Sequence, residues 1–594
     1  MSTSAPRTRL ACNACTRRKV KCSKTIPCTN CERRNEVPAT EDAHDFVAQD
    51  AASILEFLAW GRRKDPDVHA VVSPQVDSGQ QVETESPPFD DLSSLDVLQL
   101  LLPSPRQIRK LVDYHCEALL WYHGSFFAPT FRAQLEVFWT RHNGLLASPG
   151  LNLQWVALLF SIMSGSLTCA PASRAQSWGY RDAEQGTLSK RWFQAVTSFA
   201  TGTISAHLLG FSSSQSIHLA AAVRIAQSLG LHRLGLEAKG NTTEKEIGRR
   251  VWCQLCSQDW FGIPFSESYL INPLYATSEP PSNCHDRDLL PLHSSIPTIT
   301  SYSRFLYEIA SIMPRLQDGL MSCNTPYTRY EQVLKWDSRL RTLAIQERPT
   351  FLTGSPLEPN WPSWIPWARR ALAISSSHKI IMIHRSFLSD SFTNPAFSFT
   401  RRTCLAASKT IIKEYKKVAE EDGPVIWIHQ AFAVAASIIL CLNMLHCDGE
   451  TQEHEEHRQL VDAVIDILRS CYNSMIASRG VKLLEALLNE VSRNASRAQG
   501  SKRNRNGTMV NTFNVPAFVK SLHESSQRQR HDLIMSTPQE PPPTYTANET
   551  LQLPMTDFSQ ADFDFSFAPQ VLEGMNGFEN LLYLANHDIS TPWA

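Results

Sequence analysis

Between Cys12 and Cys31 the chain places five cysteines in 20 residues, whereas the 563 residues that follow hold ten. A segment this short cannot bury an apolar core large enough to fold it, so something other than hydrophobic packing must fix its shape. The spacing is C-x2-C-x6-C-x5-C-x2-C, and a C-x2-C turn aims two thiolates at one ion. Two such knuckles predict a sulfur-rich tetrahedral zinc site with Cys12, Cys15, Cys22, Cys28 and Cys31 as ligands. The opening Met-Ser-Thr-Ser-Ala-Pro-Arg lacks the apolar run of a secretory signal, so a reducing compartment is expected and thiolate ligation is favoured over disulfides.

The charge pattern says what such a site would serve. With 57 basic against 58 acidic residues the whole chain has no net field to attract a polyanion, so nucleic-acid affinity must come from a local patch. Residues 1–40 carry nine Lys or Arg against Glu32 and Glu36. Arg17, Arg18, Lys19 and Lys21 fall between the second and third cysteines, with Lys24 just beyond. Alone, a basic run reads as a solvated face or a nuclear-import signal. Pinned between metal ligands, it predicts a short helix that meets phosphates and guanine edges in a major groove.

Downstream the expected class is mainly α. Residues 41–64 read as a short helix with Val47, Ala51, Ile54 and Leu58 in an a/d-type seam. That seam fits either pairing with a second copy or packing on its own chain, and both readings stay open. Residues 65–95 turn polar and Pro-rich, a linker. Residues 96–495 show helical periodicity in run after run with no fixed repeat, which implies one large all-α regulatory domain. Runs at Ile217–Leu231, Glu246–Trp260, Phe305–Met313, Ala371–Leu388, Leu460–Cys471 and Val481–Val491 carry the pattern. The 23 uncharged residues Val425–Cys447 are long enough to span a bilayer, but their polar members and lack of basic flanks favour a buried helix and no membrane partner. Residues 496–550 read as a disordered linker. Residues 551–594 interleave six acidic residues with Phe558, Phe563, Phe565, Phe578 and Leu581–Leu584, and contain no Lys or Arg. That is the composition of a disordered activation tail able to recruit transcription machinery.

The cysteine spacing, the Arg17-Arg18-Lys19-Val20-Lys21-Cys22 run and the Pro27-Cys28 and Asn30-Cys31 neighbours resemble the fungal binuclear zinc-cluster family. That resemblance implies six cysteines holding two zinc ions, with Cys12 and Cys28 bridging, Cys15 and Cys22 completing one ion and Cys31 serving the other. It further implies base contacts from Arg18 and Lys19, phosphate contacts from Arg17, Lys21 and Lys24, CGG-type half-sites, dimers and a nuclear location. Ala221–Arg233, Glu246–Leu255 and Ile383–Leu388 are similar to segments of the regulatory domain that often follows such clusters, and they read as helix ends and contacts. Glu246 is expected to pair with Arg249 or Arg250 on the surface.

The pattern is one ligand short. The sixth cysteine belongs at 38–40, where Pro38, Ala39 and Thr40 stand, and the next cysteine is Cys116. Two ions are expected if Glu41, Asp42, His44 or water replaces it, and one otherwise. Two functions follow. The first is a sequence-specific DNA-binding RNA polymerase II regulator, an activator of a metabolic or specialised-metabolite pathway. The second is a regulator whose degenerate cluster acts through protein contacts without reading DNA. No phosphate loop, His-Glu-x2-His pair or nucleophile elbow is present, so no enzyme is expected. Cys253-x2-Cys256 and His115-Cys116 read as core.

Overall fold

The computed structural model of the chain describes residues 51–60, 94–195, 204–235, 242–446, 452–501, 513–515 and 517–522. All lie in one unit that ends at Ser526, and the second unit, Gln527–Ala594, falls wholly outside them. Among the described residues there are helices and turns but no strand, and the one β-bridge joins Cys284 to Pro291. The mainly α class expected from periodicity is therefore what the chain forms.

The principal helices are α1 (Ala51–Ala59), α2 (Pro105–Tyr114), α3 (Leu153–Cys169), α4 (Asp182–Ala195), α5 (Ser212–Ser228), α6 (Thr242–Ser266), α7 (Ser301–Ala310), α8 (Pro326–Thr342), α9 (Ile365–His384), α10 (Ser398–Glu420), α11 (Trp427–His446), α12 (Gln452–Arg469) and α13 (Met475–Ser501). α2 begins where its sequence says it should. Ser104 and Gln107 form a reciprocal capping box and Pro105 takes the first helical position, where a missing N–H costs nothing. The run expected at Phe305–Met313 is instead broken at Ser311, between α7 and a helix over Ile312–Met321. Pro314 is the reason, since it cannot donate to the carbonyl four residues back and its ring crowds that turn.

Two large apolar clusters and a small one around Phe193 and Leu209 fill the described body. The smaller of the two large ones gathers Ile108, Leu111, Phe131, Phe138, Leu159, Phe160 and Trp192 between α2, α3 and α4. The larger is organised on α11, in which every residue from Trp427 to Leu445 is buried against α1, α9, α10, α12 and α13. α11 is long and apolar enough to cross a membrane, but that stretch is enclosed within the protein. Two of its polar groups are matched inside: Ser437 donates to the Ala433 carbonyl at 2.9 Å, and Asn443 Oδ1 accepts from Arg401 Nε at 2.8 Å.

The two segments singled out between 221 and 255 dock on each other. Gly230, at φ +75°, ends α5 in the left-handed region that a side chain would strain. The chain then returns so that Leu231 and Leu234 press on Gly248 of α6, where an added Cβ would lie 2.6 Å from Leu234 Cδ1. Arg249 holds that turn by donating to the carbonyls of Leu234 and Gly235, both at 3.1 Å. The Glu246–Arg250 pair is not on the surface as expected: the two side chains are 4% and 1% exposed. The segment after α6 covers them, with Ser282 N donating to Glu246 and Asp286 accepting from Arg250 at 2.8 Å. Cys253 and Cys256 are buried on the same helix, as core residues.

Candidate functional site: the cysteine cluster and the helix behind it

Cys12, Cys15, Cys22, Cys28 and Cys31, and the cations Arg17, Arg18, Lys19, Lys21 and Lys24, all lie outside the described residues. So does Val47 of the predicted seam. Among the described residues no three His, Cys, Asp or Glu groups are placed to hold a metal ion. Five thiols with two of them shared would give one ion four sulfur ligands and a second ion three.

What the structure does place is the stretch immediately behind the cluster. Helix α1 is sunk into the larger core: Ile54, Leu55, Phe57, Ala59 and Trp60 are buried, with Leu58 and Ala51 half-buried against the same chain. Intrachain packing therefore occupies the described part of the predicted seam, and a second copy has no free face there. Trp60 ends the helix against three rings, with centroids 4.6 Å from Phe265, 5.8 Å from Trp427 and 5.9 Å from His207. Its carbonyl accepts from Arg479 of α13 at 3.3 Å.

In the middle of this apolar helix sits Glu56, 2% exposed. Its carboxylate accepts from His378 Nε2 on α9 at 2.9 Å, and His378 Nδ1 lies 3.3 Å from Lys379 Nζ. Burial, with the neighbouring Lys379 charge adding to it, lowers the His378 pKa to about 4, so the ring is neutral at pH 7. A neutral ring with its proton on Nε2 donates to Glu56 and accepts from Lys379, which satisfies all three groups in one direction. The ring stacks on Phe432 with centroids 3.7 Å apart. The Lys379 ammonium lies 4.2 Å from the centre of the Phe261 ring and 5.0 Å from that of Phe432. Burial lowers the Lys379 pKa to about 7, opposed by the Glu56 carboxylate. Sequence reading missed this network because its partners are 322 residues apart. The signal available was a lone Glu inside Ile54-Leu55-Glu56-Phe57-Leu58-Ala59-Trp60.

Residues 10–38 match the family described as the fungal Zn(2)-Cys(6) binuclear cluster domain. The chain carries a zinc-cluster domain. The match ends at Pro38, the first of the positions where the sixth cysteine is missing. Beyond the cluster the chain is similar to the agnestins biosynthesis cluster transcription factor AgnL11 of Paecilomyces divaricatus, at 22% identity over 80% of this chain and 84% of that protein. It is also similar to the "Probable transcription factor lepB" of Aspergillus flavus, at 23% identity over 66% of this chain and 78% of that one. A shorter likeness, 26% identical over 41% of this chain and 36% of the other, is to the pyrrolocin cluster transcription factor fsdR of a fungal species. With the cluster at one end and relatives of this kind along most of its length, the zinc-cluster chain is a transcription regulator.

Proposed function

We propose that this zinc-cluster chain is a nuclear, sequence-specific DNA-binding activator that controls a specialised-metabolite gene cluster. The observation that carries the reading is the run Arg17-Arg18-Lys19-Val20-Lys21 inside a segment that matches the cluster family. In this reading zinc fixes the segment's fold, Arg18 and Lys19 address base edges, and Arg17, Lys21 and Lys24 address phosphates. DNA with CGG-type half-sites is the partner, bound by a homodimer whose contacts lie elsewhere than residues 51–60. The acidic-aromatic tail, residues 551–594, recruits the transcription machinery. One relative named for the agnestins biosynthesis cluster and one named for the pyrrolocin cluster support the choice of target class.

Bound zinc would supply folding energy to a segment with no core of its own, and Cys12, Cys15, Cys22 and Cys28 form a complete set for one ion. Cys31 then needs help from an oxygen or imidazole donor, with Glu41, Asp42 and His44 next in the chain. That shortage favours a second reading, in which a one-zinc cluster no longer reads DNA and the chain works by contacting a competent relative. Genome-wide occupancy by chromatin immunoprecipitation separates the two. Discrete promoter peaks that vanish in a Cys22→Ser strain are expected. Peaks that persist unchanged in that strain mean that recruitment is indirect.

A further inference from the structure

The structure places a buried ionic network on the one described helix that lies between the cluster and the regulatory body. Twelve residues, 39–50, separate the end of the matched cluster segment from Ala51. Whatever their conformation, they reach no further than roughly 45 Å. Were α1 not docked, the next fixed point would be Ser94, and the 55 residues between would reach roughly 190 Å. Docking of one nine-residue helix thus shortens the tether of the cluster about fourfold.

α1 sets Phe57 against Phe265 of α6 and Trp60 against Trp427 of α11, and Glu56 meets His378 of α9, whose ring is backed by Phe432 and whose neighbour Lys379 lies over Phe261. A buried carboxylate and ammonium often add no more to stability than apolar side chains of the same volume, and here the Glu56–His378 and His378–Lys379 contacts fix where along the slot α1 sits. If α1 withdraws, Lys379 and His378 lose their carboxylate and the slot becomes a cationic, ring-lined groove. We propose that α1 is a clasp: the Glu56–His378–Lys379 contact fastens the cluster segment close to the regulatory body, and opening it frees the segment to search for DNA. The regulatory half of this inference rests on the DNA-binding reading above, whereas the clasp itself does not. A body within roughly 45 Å blocks a share of the approach directions open to a duplex, so release speeds productive encounter.

Hydrogen exchange on the full-length protein, with wild type, Glu56→Ala and the paired Glu56→Gln/Lys379→Met compared, tests both halves. In Glu56→Ala, protection of residues 51–60 is expected to fall at least about tenfold while that of 427–446 stays within about twofold of wild type. The paired variant removes both charges and keeps the side-chain volumes, so protection of 51–60 within about threefold of wild type is expected. Unchanged protection in Glu56→Ala, or a loss shared equally by 427–446, would overturn the clasp. On the same samples, Glu56→Ala is expected to bind a CGG-type duplex about threefold more tightly or better, and equal affinity would overturn the regulatory half. Absence of DNA binding in all three proteins would count against the DNA reading, and the exchange result would still decide the clasp.

Discussion

Arg250 shows how much one residue is asked to do in this body. Its guanidinium bonds Glu246 at 3.0 Å and Asp286 at 2.8 Å and lies 4.2 Å from the centre of the Phe127 ring, so it ties α6 to the segment after it and to Phe127, the residue before the helix over Ala128–Thr140. Removing it strands a buried carboxylate. Arg250→Ala is expected to cost about 3–5 kcal/mol in urea unfolding, whereas the triple variant Glu246→Gln/Arg250→Met/Asp286→Asn, which removes the charge of all three groups, should cost clearly less. A loss below about 1 kcal/mol for Arg250→Ala would mean that the pair is not buried as described. The sequence revealed the i, i+4 partners but not their burial. Nothing local tells a solvated helix pair from one that a loop 36 residues later will cover.

At the scale of elements, α1 and α11 teach opposite lessons. α11 was legible because an uncharged run of its length has few soluble fates other than burial on all sides. α1 was legible as a helix, but its seam suited a partner copy as well as its own body. The choice was made by long-range contacts to His378, Phe265 and Trp427. Those contacts carry a pH signature. His378, held to about 4 by burial, Lys379 and Arg385, and His115, held to about 3 by burial, bind fewer protons folded than unfolded. The stability they confer is therefore present near pH 7 and is lost as pH falls from about 6.5 toward 4. Lys379, held to about 7 and facing Glu56 and His378, works in the alkaline window, where the unfolded chain keeps a proton that the folded one has released. Its contribution grows from pH 7 toward 10, while buried thiols such as Cys253, pushed up to about 12, work against stability there. The urea midpoint should thus drop between pH 7 and pH 5. The gap between wild type and Lys379→Met should widen in favour of wild type between pH 7 and pH 9. A gap that stays constant over that range would mean that Lys379 is not buried as described.

In the whole molecule a zinc-cluster domain at the amino end precedes a helical body on which the short helix α1 is docked. The helical class was readable from periodicity, and the cluster from cysteine spacing and four cations in six residues. Neither pattern could say where the cluster is anchored, because the anchor depends on a slot built from α6, α9, α11 and α13. The claim on which the rest hangs is that the cluster reads DNA through zinc. Fluorescence anisotropy of the full-length chain, on a CGG-type duplex and a scrambled one, with zinc and after chelation, tests it most directly. Zinc-dependent binding that is tighter on the CGG-type duplex is expected. Arg18→Ala should lose about 1–3 kcal/mol on that duplex and Lys21→Ala should weaken both duplexes alike. Equal affinity for the two duplexes, or binding that survives chelation unchanged, would contradict that claim.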